Sequence, residues 1–340
     1  MVCLLEYIWI GGLGELRSKT KVINDNIDDL QSIPVWNFDG SSTAQALNNG
    51  TDTEITLIPV KAIPDPFRRN LNNTNWLVLC STYKTDGTPA INNNRDIAKQ
   101  IFDCKLDLEP WFGLEQEYFM INTIRDLWPD ITTQTQWYCG IGNKQPLERM
   151  IVEEHLEHCL YARLKISGVN AEVAPYQWEY QVGPCVGIDS GDQHMLSRYI
   201  LERVAEKYGI TISYKPKIVQ EINGSGCHTN FSTTETRTLN ANANTITSGL
   251  KTIYNYIDKL AKVHSSHIEV YGEGNDARLT GHHETASIDN FSYGVGTRNT
   301  SIRIPNQVVK DGYGYLEDRR PAANIDPYLA TSIIAKTCCL

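Results

Sequence analysis

Gly113-Leu114-Glu115-Gln116-Glu117-Tyr118 is the stretch that decides the fold. Two carboxylates stand two positions apart inside an apolar run. Trp111, Phe112 and Leu114 flank them on one side, Tyr118, Phe119 and Met120 on the other. On a strand, positions two apart point to one side of the sheet. The spacing predicts a strand over 113–122 whose two glutamates emerge together. Like charges side by side in apolar surroundings repel and are poorly solvated, so something must neutralise them. Taken alone, the pair reads sooner as a solvated strand edge than as a site, and the rest of the chain must decide.

Downstream, Asn170-Ala171-Glu172-Val173-Ala174-Pro175 leads into Tyr176-Gln177-Trp178-Glu179-Tyr180-Gln181-Val182. Pro175 allows a turn. The second run alternates with period two, so Glu179 and Gln181 share a face opposite Trp178, Tyr180 and Val182. A third cluster, Asn223-Gly224-Ser225-Gly226-Cys227-His228-Thr229-Asn230-Phe231-Ser232, offers His228 as a ligand and two glycines that let backbone approach a bound group. It is not a Walker loop, because no Lys-Ser/Thr follows. Leu279-Thr280-Gly281-His282-His283-Glu284-Thr285 lacks the order and spacing of a zinc His-Glu-x-x-His site. Arg298, Arg303, Arg319 and Arg320 supply forks that fit carboxylate and phosphate oxygens. Glu115, Glu117, Glu172, Glu179 and Glu317 with His228, and no cysteine ligand pattern, suit hard cations such as Mg2+ or Mn2+. With the arginines they predict a metal-nucleotide enzyme acting on a carboxylate substrate.

Around these clusters the chain divides. Residues 1 to about 85 read as strand-rich, with apolar runs at 6–10, 57–60 and 76–80 and turns such as Asn48-Asn49-Gly50 between them. The polar stretch 83–94 reads as a linker. Helices are expected at 95–104, 146–165, 192–208 and 247–264. In the second, Leu147, Met150, Ile151, Leu156, Leu160 and Leu164 recur at three-four spacing. In the third, Asp192 suits an N-cap and Gly209 a stop. The asparagine-rich patch 240–244 reads as a surface loop. The fold class is α+β, with strands lining a site and helices outside.

Bulk properties remove other classes. A chain of 340 residues with a net charge of -9 has no basic cluster beyond Arg68-Arg69 and Arg319-Arg320, so no nucleic-acid partner is expected. No apolar run reaches the roughly 18 residues of a membrane span. Residues 1–12 are broken by Glu6 and lack a basic leader, so they do not read as a signal peptide, and a cytoplasmic location is expected. Nine cysteines without a Cys-x-x-Cys pair read as reduced, mostly buried thiols.

The blocks taken together resemble eukaryotic-type glutamine synthetase over nearly the whole chain. They are 6–10, Trp36-Asn37-Phe38-Asp39-Gly40-Ser41-Ser42-Thr43, Asp65-Pro66-Phe67-Arg68, 111–118, Tyr138-Cys139-Gly140, 170–184, 226–232, 279–287, 301–305 and 314–321, all in family order. The resemblance implies a β-grasp N-terminal domain over 1–86 and a catalytic α+β domain over 87–340. It implies a homo-oligomer of two stacked rings, a decamer, with active sites between subunits. The implied reaction is ATP-dependent condensation of glutamate with ammonia through γ-glutamyl phosphate.

The family's roles fall on matching positions. Glu115, His228 and Glu317 resemble the ligands of a metal nearer the nucleotide, and Glu117, Glu172 and Glu179 those of a metal nearer glutamate. Arg278 matches the arginine that grips the glutamate carboxylate, with Glu172, Asn223 and Gly224 also at the substrate. Arg298 and Arg319 match arginines at the phosphoryl group and substrate. Arg303 resembles a nucleotide-facing arginine, and Trp111, Asn230, Ser232, Arg237 and Tyr315, with Glu115 and Glu179 close by, resemble the ATP site. Glu284 sits on what resembles a closing flap that removes a proton after ammonia attacks. Asp39 resembles the residue, donated by a neighbouring subunit, that turns ammonium into ammonia.

Three departures stand out. Gln220-Glu221-Ile222 replaces a family Gly-Asp/Asn-Trp, and an added carboxylate there would weaken an anionic substrate's binding. The segment between Tyr118 and Tyr138 is shorter than in the family. Gln193-His194-Met195 and Tyr315-Leu316 stand where Leu-Trp and Tyr-Phe are common, which reads as repacking. The alternatives are a γ-glutamyl ligase using another amine, and a catalytically weak ring-forming binding protein.

Overall fold

The computed structural model describes all residues except 1, 26, 28, 48–50, 70–74, 105, 122–136, 143–145 and 243–244, and the side chains of 106, 146, 239–242 and 245–248 are likewise outside it. The shortened segment before Tyr138 and the Asn48-Asn49-Gly50 turn therefore lie outside the described residues. The chain forms two units, Met1–Ile97 with Glu157–Leu164, and Ala98–Leu156 with Lys165–Leu340.

The first unit is built on five strands: β1 (Cys3–Ile10), β2 (Leu16–Ile23), β3 (Trp36–Asp39), β4 (Glu54–Pro64) and β5 (Trp76–Lys84). Their order is β2-β1-β5-β4-β3. The β1–β5 pair is parallel and the others antiparallel. Alternate residues Leu5, Tyr7 and Trp9 meet Leu57, Val78 and Cys80 in one core, as period-two burial requires. Pro59 is tolerated inside β4 because β3 pairs only as far as Leu57 and the register shifts between Pro59 and Lys61. On the opposite face Glu6 is buried, with Arg68 at 2.9 Å and Thr20 donating to it.

The second unit follows α1 (Asn94–Asp103) with β6 (Trp111–Ile121), α2 (Pro146–Tyr161), β7 (Ile166–Ala171), β8 (Gln177–Val186), α3 (Ile188–Lys207), β9 (Thr211–Ser213) and β10 (Cys227–Ser232). Then come β11 (Leu239–Asn242), β12 (Thr245–Ser248), α4 (Gly249–Lys262), α5 (His264–Ile268), β13 (Tyr293–Val295), β14 (Ile302–Ile304), α6 (Asn306–Asp311), β15 (Leu316–Asp318) and α7 (Pro327–Cys339). Helices α1 and α2 contribute residues to both units. The large sheet runs β13-β14-β15-β10-β6-β8-β7, with β9 also on β6. Helix α3 packs on β6, β8, β9 and α7. The architecture is mixed α+β.

The turn that Pro175 allows is present: Tyr176 turns with φ 62° and Glu172 N donates to Gln177 O, so 166–186 is a hairpin. Three expectations are corrected. Helix α3 starts at Ile188, so Asp192 is no N-cap. It is buried within the helix and accepts from Tyr328 Oη at 2.9 Å. Gly191 is needed in that first turn because a Cβ would lie 2.5 Å from the Tyr328 ring. Helix α2 buries Glu148, Ile151, Val152, His155 and Cys159, while Met150 and Leu160 are 53% and 55% exposed. Only part of its apolar stripe, Ile151, is on the buried face, which Glu148 and His155 share. Residues 240–242 belong to β11, which pairs with β12, and are not a loop.

None of the nine cysteines forms a disulfide and six are buried. Among the described residues no helix is long and apolar enough to cross a membrane.

Candidate active site

Strand register brings the acids together. β6 pairs with β10 so that Glu115 faces His228, and with β8 so that Glu117 faces Glu179. β10 in turn pairs with β15, setting Asn230 opposite Glu317. β7 lies on the far side of β8 with Asn170 opposite Glu179, and Glu172 follows one residue after β7 ends. Two like charges directly opposite across a sheet destabilise it unless something lies between them.

The result is two adjacent clusters. Glu115, His228 and Glu317 offer one ligand atom each, all within 4.8 Å of one another, and Glu117, Glu172 and Glu179 do the same. His228 Nδ1 lies 3.3 Å from Glu115, 3.8 Å from Glu317 and 4.0 Å from Glu117, so it stands at the junction. Side-chain amides hold the carboxylates: Asn230 Nδ2 donates to Glu115 at 2.8 Å, Asn170 Nδ2 to Glu172 at 3.0 Å, and Gln181 Nε2 to Glu179. The backbone N–H of Gly226 donates to Glu117 at 2.7 Å. A Cβ on Gly226 would come 2.8 Å from His228 Nε2, which explains the glycine.

Protonation follows burial. Burial, then the neighbouring Glu172 carboxylate, raises Glu117 to about 8. Burial, then Glu117 and Glu115, raises Glu179 to about 9. Glu172 is raised by burial as well. His228 is held well below its ordinary value by burial and by Arg319, so its imidazole is neutral and able to ligate. Five carboxylates and one imidazole form an oxygen-rich donor set, in which Glu117, Glu172 and Glu179 are costly to ionise without a countercharge, and this fits divalent cations.

Alternation through β15 and the two residues after it separates two jobs. Glu317 and Arg319 face the cavity, joined at 2.5 Å, and Arg303 meets the other Glu317 oxygen at 2.8 Å. Asp318 and Arg320 face the interior as a buried pair at 2.6 Å, with Arg320 also donating to His264 at 3.0 Å. Arg278 is buried and anchored to the carbonyls of Arg319, Arg320 and Pro321, and burial pushes it down to about 10.

Two cavities meet here. The first, about 210 Å³, contains both clusters with Asn223, Gly224, Arg278, Glu284, Arg298, Arg303 and Arg319. The second, about 500 Å³ and mostly apolar, is lined by Trp111, Asn230, Ser232, Arg237 and Tyr315, with the Arg237 guanidinium 3.9 Å above the Trp111 ring. Glu115 and Gln181 line both. Arg303 and Glu179, expected toward the nucleotide, line the first cavity and not the second. Asp39 belongs to neither; its carboxylate accepts from Ser41 Oγ at 2.8 Å and Ser42 Oγ at 3.0 Å in the first unit. The segment 282–285 is strained, with φ 52° at His283 and 62° at Glu284. Thr285 Oγ1 anchors it to Arg278 O at 3.1 Å.

Sequence reading omitted Tyr138, Gln177, Gln181, His283 and Thr285 from the first cavity's wall. Gln177 and Gln181 carried the signal, since both follow the Glu179 period of two. Glu221 does not line the cavity. It is exposed and its charge acts on Lys217, while Ile222 is buried with Phe119 and Ala174.

The family model described as "Glutamine synthetase, catalytic domain" matches residues 93–338. The chain belongs to the glutamine synthetase family. It is 51% identical over 342 residues to the glutamine synthetase of Saccharomyces cerevisiae, covering 99% of this chain and 89% of the yeast protein. It is 50% identical over 340 residues to that of Schizosaccharomyces pombe, covering 98% and 91%. A putative glutamine synthetase of Acanthamoeba polyphaga mimivirus is 51% identical over 345 residues, covering 99% and 94%. Its function is accordingly that of a glutamine synthetase, a glutamate–ammonia ligase, and this family is ATP-dependent and uses divalent metals.

Proposed function

We propose that the chain joins L-glutamate and ammonia through γ-glutamyl phosphate, with Mg2+ or Mn2+ held in two places. Glu115, His228 and Glu317 hold one cation and Glu117, Glu172 and Glu179 the other. The observation that carries this reading is the pair of three-ligand clusters at the junction of a charged and an apolar cavity. When bound, the cations neutralise charge that develops between the γ-phosphate and the attacking carboxylate.

This chain's own residues do the rest. The apolar cavity takes the nucleotide base and ribose, with Trp111, Asn230, Ser232, Arg237 and Tyr315 around them. Arg278, with Asn223 and Gly224, orients glutamate. Arg298 and Arg319 stabilise the transferring phosphoryl group, and Arg303 supports them through Glu317. Asp39, supplied by a neighbouring subunit, attracts ammonium and accepts its proton. Ammonia then attacks the γ-carbonyl carbon, phosphate leaves, and Glu284 takes the proton from the new amide nitrogen. We further propose a β-grasp domain over 1–86, a catalytic domain over 87–340, a decamer of two stacked rings and a cytoplasmic location.

The test is ATP- and Mg2+-dependent glutamine formation from glutamate and ammonium, on protein whose mass is measured in the same buffer. Protein that binds nucleotide and metal yet transfers no γ-glutamyl group to ammonia or hydroxylamine would sink the reading.

A further inference from the structure

We infer that Lys217 is a positioning residue for the glutamate side of the site, an inference that rests on the function proposed above. Residues 214–225 form no helix or strand. Yet this loop supplies Asn223 and Gly224 to the cavity wall. Without a ladder, its shape depends on individual ties. Ser225 N donates to Pro216 O at 2.9 Å and closes the loop's base. Gln177 Nε2 donates to Gly224 O at 3.0 Å and to Ser225 Oγ at 3.1 Å. Ala323 N donates to Ser225 O at 3.0 Å. The Ile222 side chain is buried beside Phe119 and Ala174, with Ile218 and Val219 packed against them.

These ties fix the loop's base, the end of its wall segment and one side chain. They leave the peptide group directly before Asn223. Its carbonyl, on Ile222, accepts a hydrogen bond from Lys217 Nζ. A charged donor makes a stronger bond than a neutral one, and this one crosses the loop from residue 217 to 222. The wall has little slack. A Cβ at Gly224 would lie 2.3 Å from Pro216 O and 2.7 Å from Arg278 Cγ. Movement of the Ile222 peptide is therefore passed to Asn223, Gly224 and the Arg278 stem.

The same lysine accounts for the departure at Gln220-Glu221-Ile222. Glu221 acts on Lys217 as a countercharge, whereas Arg278 is a like charge to it, and Lys217 in turn helps hold the His283 imidazole below its ordinary value, after burial. The added acid offsets the lysine and stays out of the cavity.

The experiment compares Lys217→Met, which keeps the length and loses the donor, with Lys217→Arg, which keeps donor and charge, in the assembled full-length enzyme. For Lys217→Met, KM for glutamate is expected to rise about tenfold, the size of one charged hydrogen bond. The kcat and the KM for ATP should stay within about twofold, the signature of lost substrate positioning. Lys217→Arg should restore most of the glutamate KM. If Lys217→Met fails to assemble, Lys217→Gln, a neutral donor, is read by the same ratio and should fall between. An unchanged glutamate KM, or equal rises for glutamate and ATP with a lowered melting temperature, overturns the inference. Absence of glutamine formation by the parent protein in that assay would instead overturn the function itself.

Discussion

Glu317 Oε1 lies 2.5 Å from Arg319 Nη1, and their side chains are 2% and 5% exposed. They sit two residues apart, Glu317 in β15 and Arg319 one residue past its end, both toward the cavity. The other Glu317 oxygen takes Arg303. One carboxylate thus holds two guanidiniums and completes a three-ligand cluster.

Replacing it should cost both stability and metal. In Glu317→Gln, Arg319 stays buried without its partner, and the expected loss is about 3 kcal/mol. Divalent-metal binding should weaken by at least roughly tenfold, since even indirect supports of a metal site cost that much. Thermal melting and Mn2+ titration check the two effects. A variant that melts and binds Mn2+ like the parent removes Glu317 from the site.

Metal binding should release protons. Carboxyls raised to about 8 at Glu117 and about 9 at Glu179 carry protons at pH 7. A cation binds the ionised forms, so it expels those protons, and affinity climbs as pH rises toward 9. Calorimetry at pH 7 in buffers of different ionisation enthalpy measures the release, and buffer-independent heats would contradict it. The metal-free protein shows the opposite dependence. Raised carboxyl values favour folding fully below the ordinary value of 4.5, and that contribution is lost as pH rises through 8 to 9. Its melting temperature in chelator should fall from pH 6 to 9, and saturating Mg2+ should remove the fall.

Glu284→Ala should separate the two halves of the reaction. Glutamate phosphorylation continues, because no phosphoryl-binding arginine is touched. Without the flap carboxylate the intermediate goes to water. Phosphate release should exceed glutamine formation by about tenfold or more, the usual weight of a general base. Equal yields of phosphate and glutamine would leave Glu284 without this role.

Asp39→Ala should act on ammonium alone. Ser41 and Ser42 aim this exposed carboxylate, and the segment around it is otherwise built from backbone pairing with β4. The half-saturating ammonium concentration should rise by about tenfold or more, as expected when a base is lost. The KM values for ATP and glutamate should hold. Measured across pH 6 to 9, the defect should shrink as free ammonia becomes abundant at the alkaline end. An ammonium requirement equal to the parent's rules the role out.

The sequence made some of this legible and hid the rest for physical reasons. Strand alternation is local, so Glu115 with Glu117, and Glu179 with Gln181, could be assigned to common faces from spacing alone. Apart from Glu172 and Glu179, which are near in sequence, each acid joins its cluster through partners far along the chain, and the family resemblance supplied that assignment where spacing had none. Helix α3 starts four residues before the expected 192 because Asp192 looks like a solvated cap, yet residues 190–201 are buried on every side and Tyr328 satisfies Asp192. In α2 the expected stripe is only partly a core face, since Ile151 is buried but Glu148 and His155 are buried where Met150 and Leu160 are exposed. The acid at Glu221 looked like a threat to substrate because chain position says nothing of side-chain direction.

Glu115 and Gln181 stand in the walls of both cavities. There is no insulating layer between the apolar chamber and the charged one, so filling either alters the field in the other. Binding at the two must then be thermodynamically linked, and the linkage is reciprocal: whatever factor a nucleotide exerts on glutamate affinity, glutamate exerts on the nucleotide. Drift at position 115 or 181 is read by two ligands at once, which leaves these residues less freedom than neighbours that serve one chamber. A compound anchored in the apolar chamber alone would still report on, and interfere with, the chemistry next door.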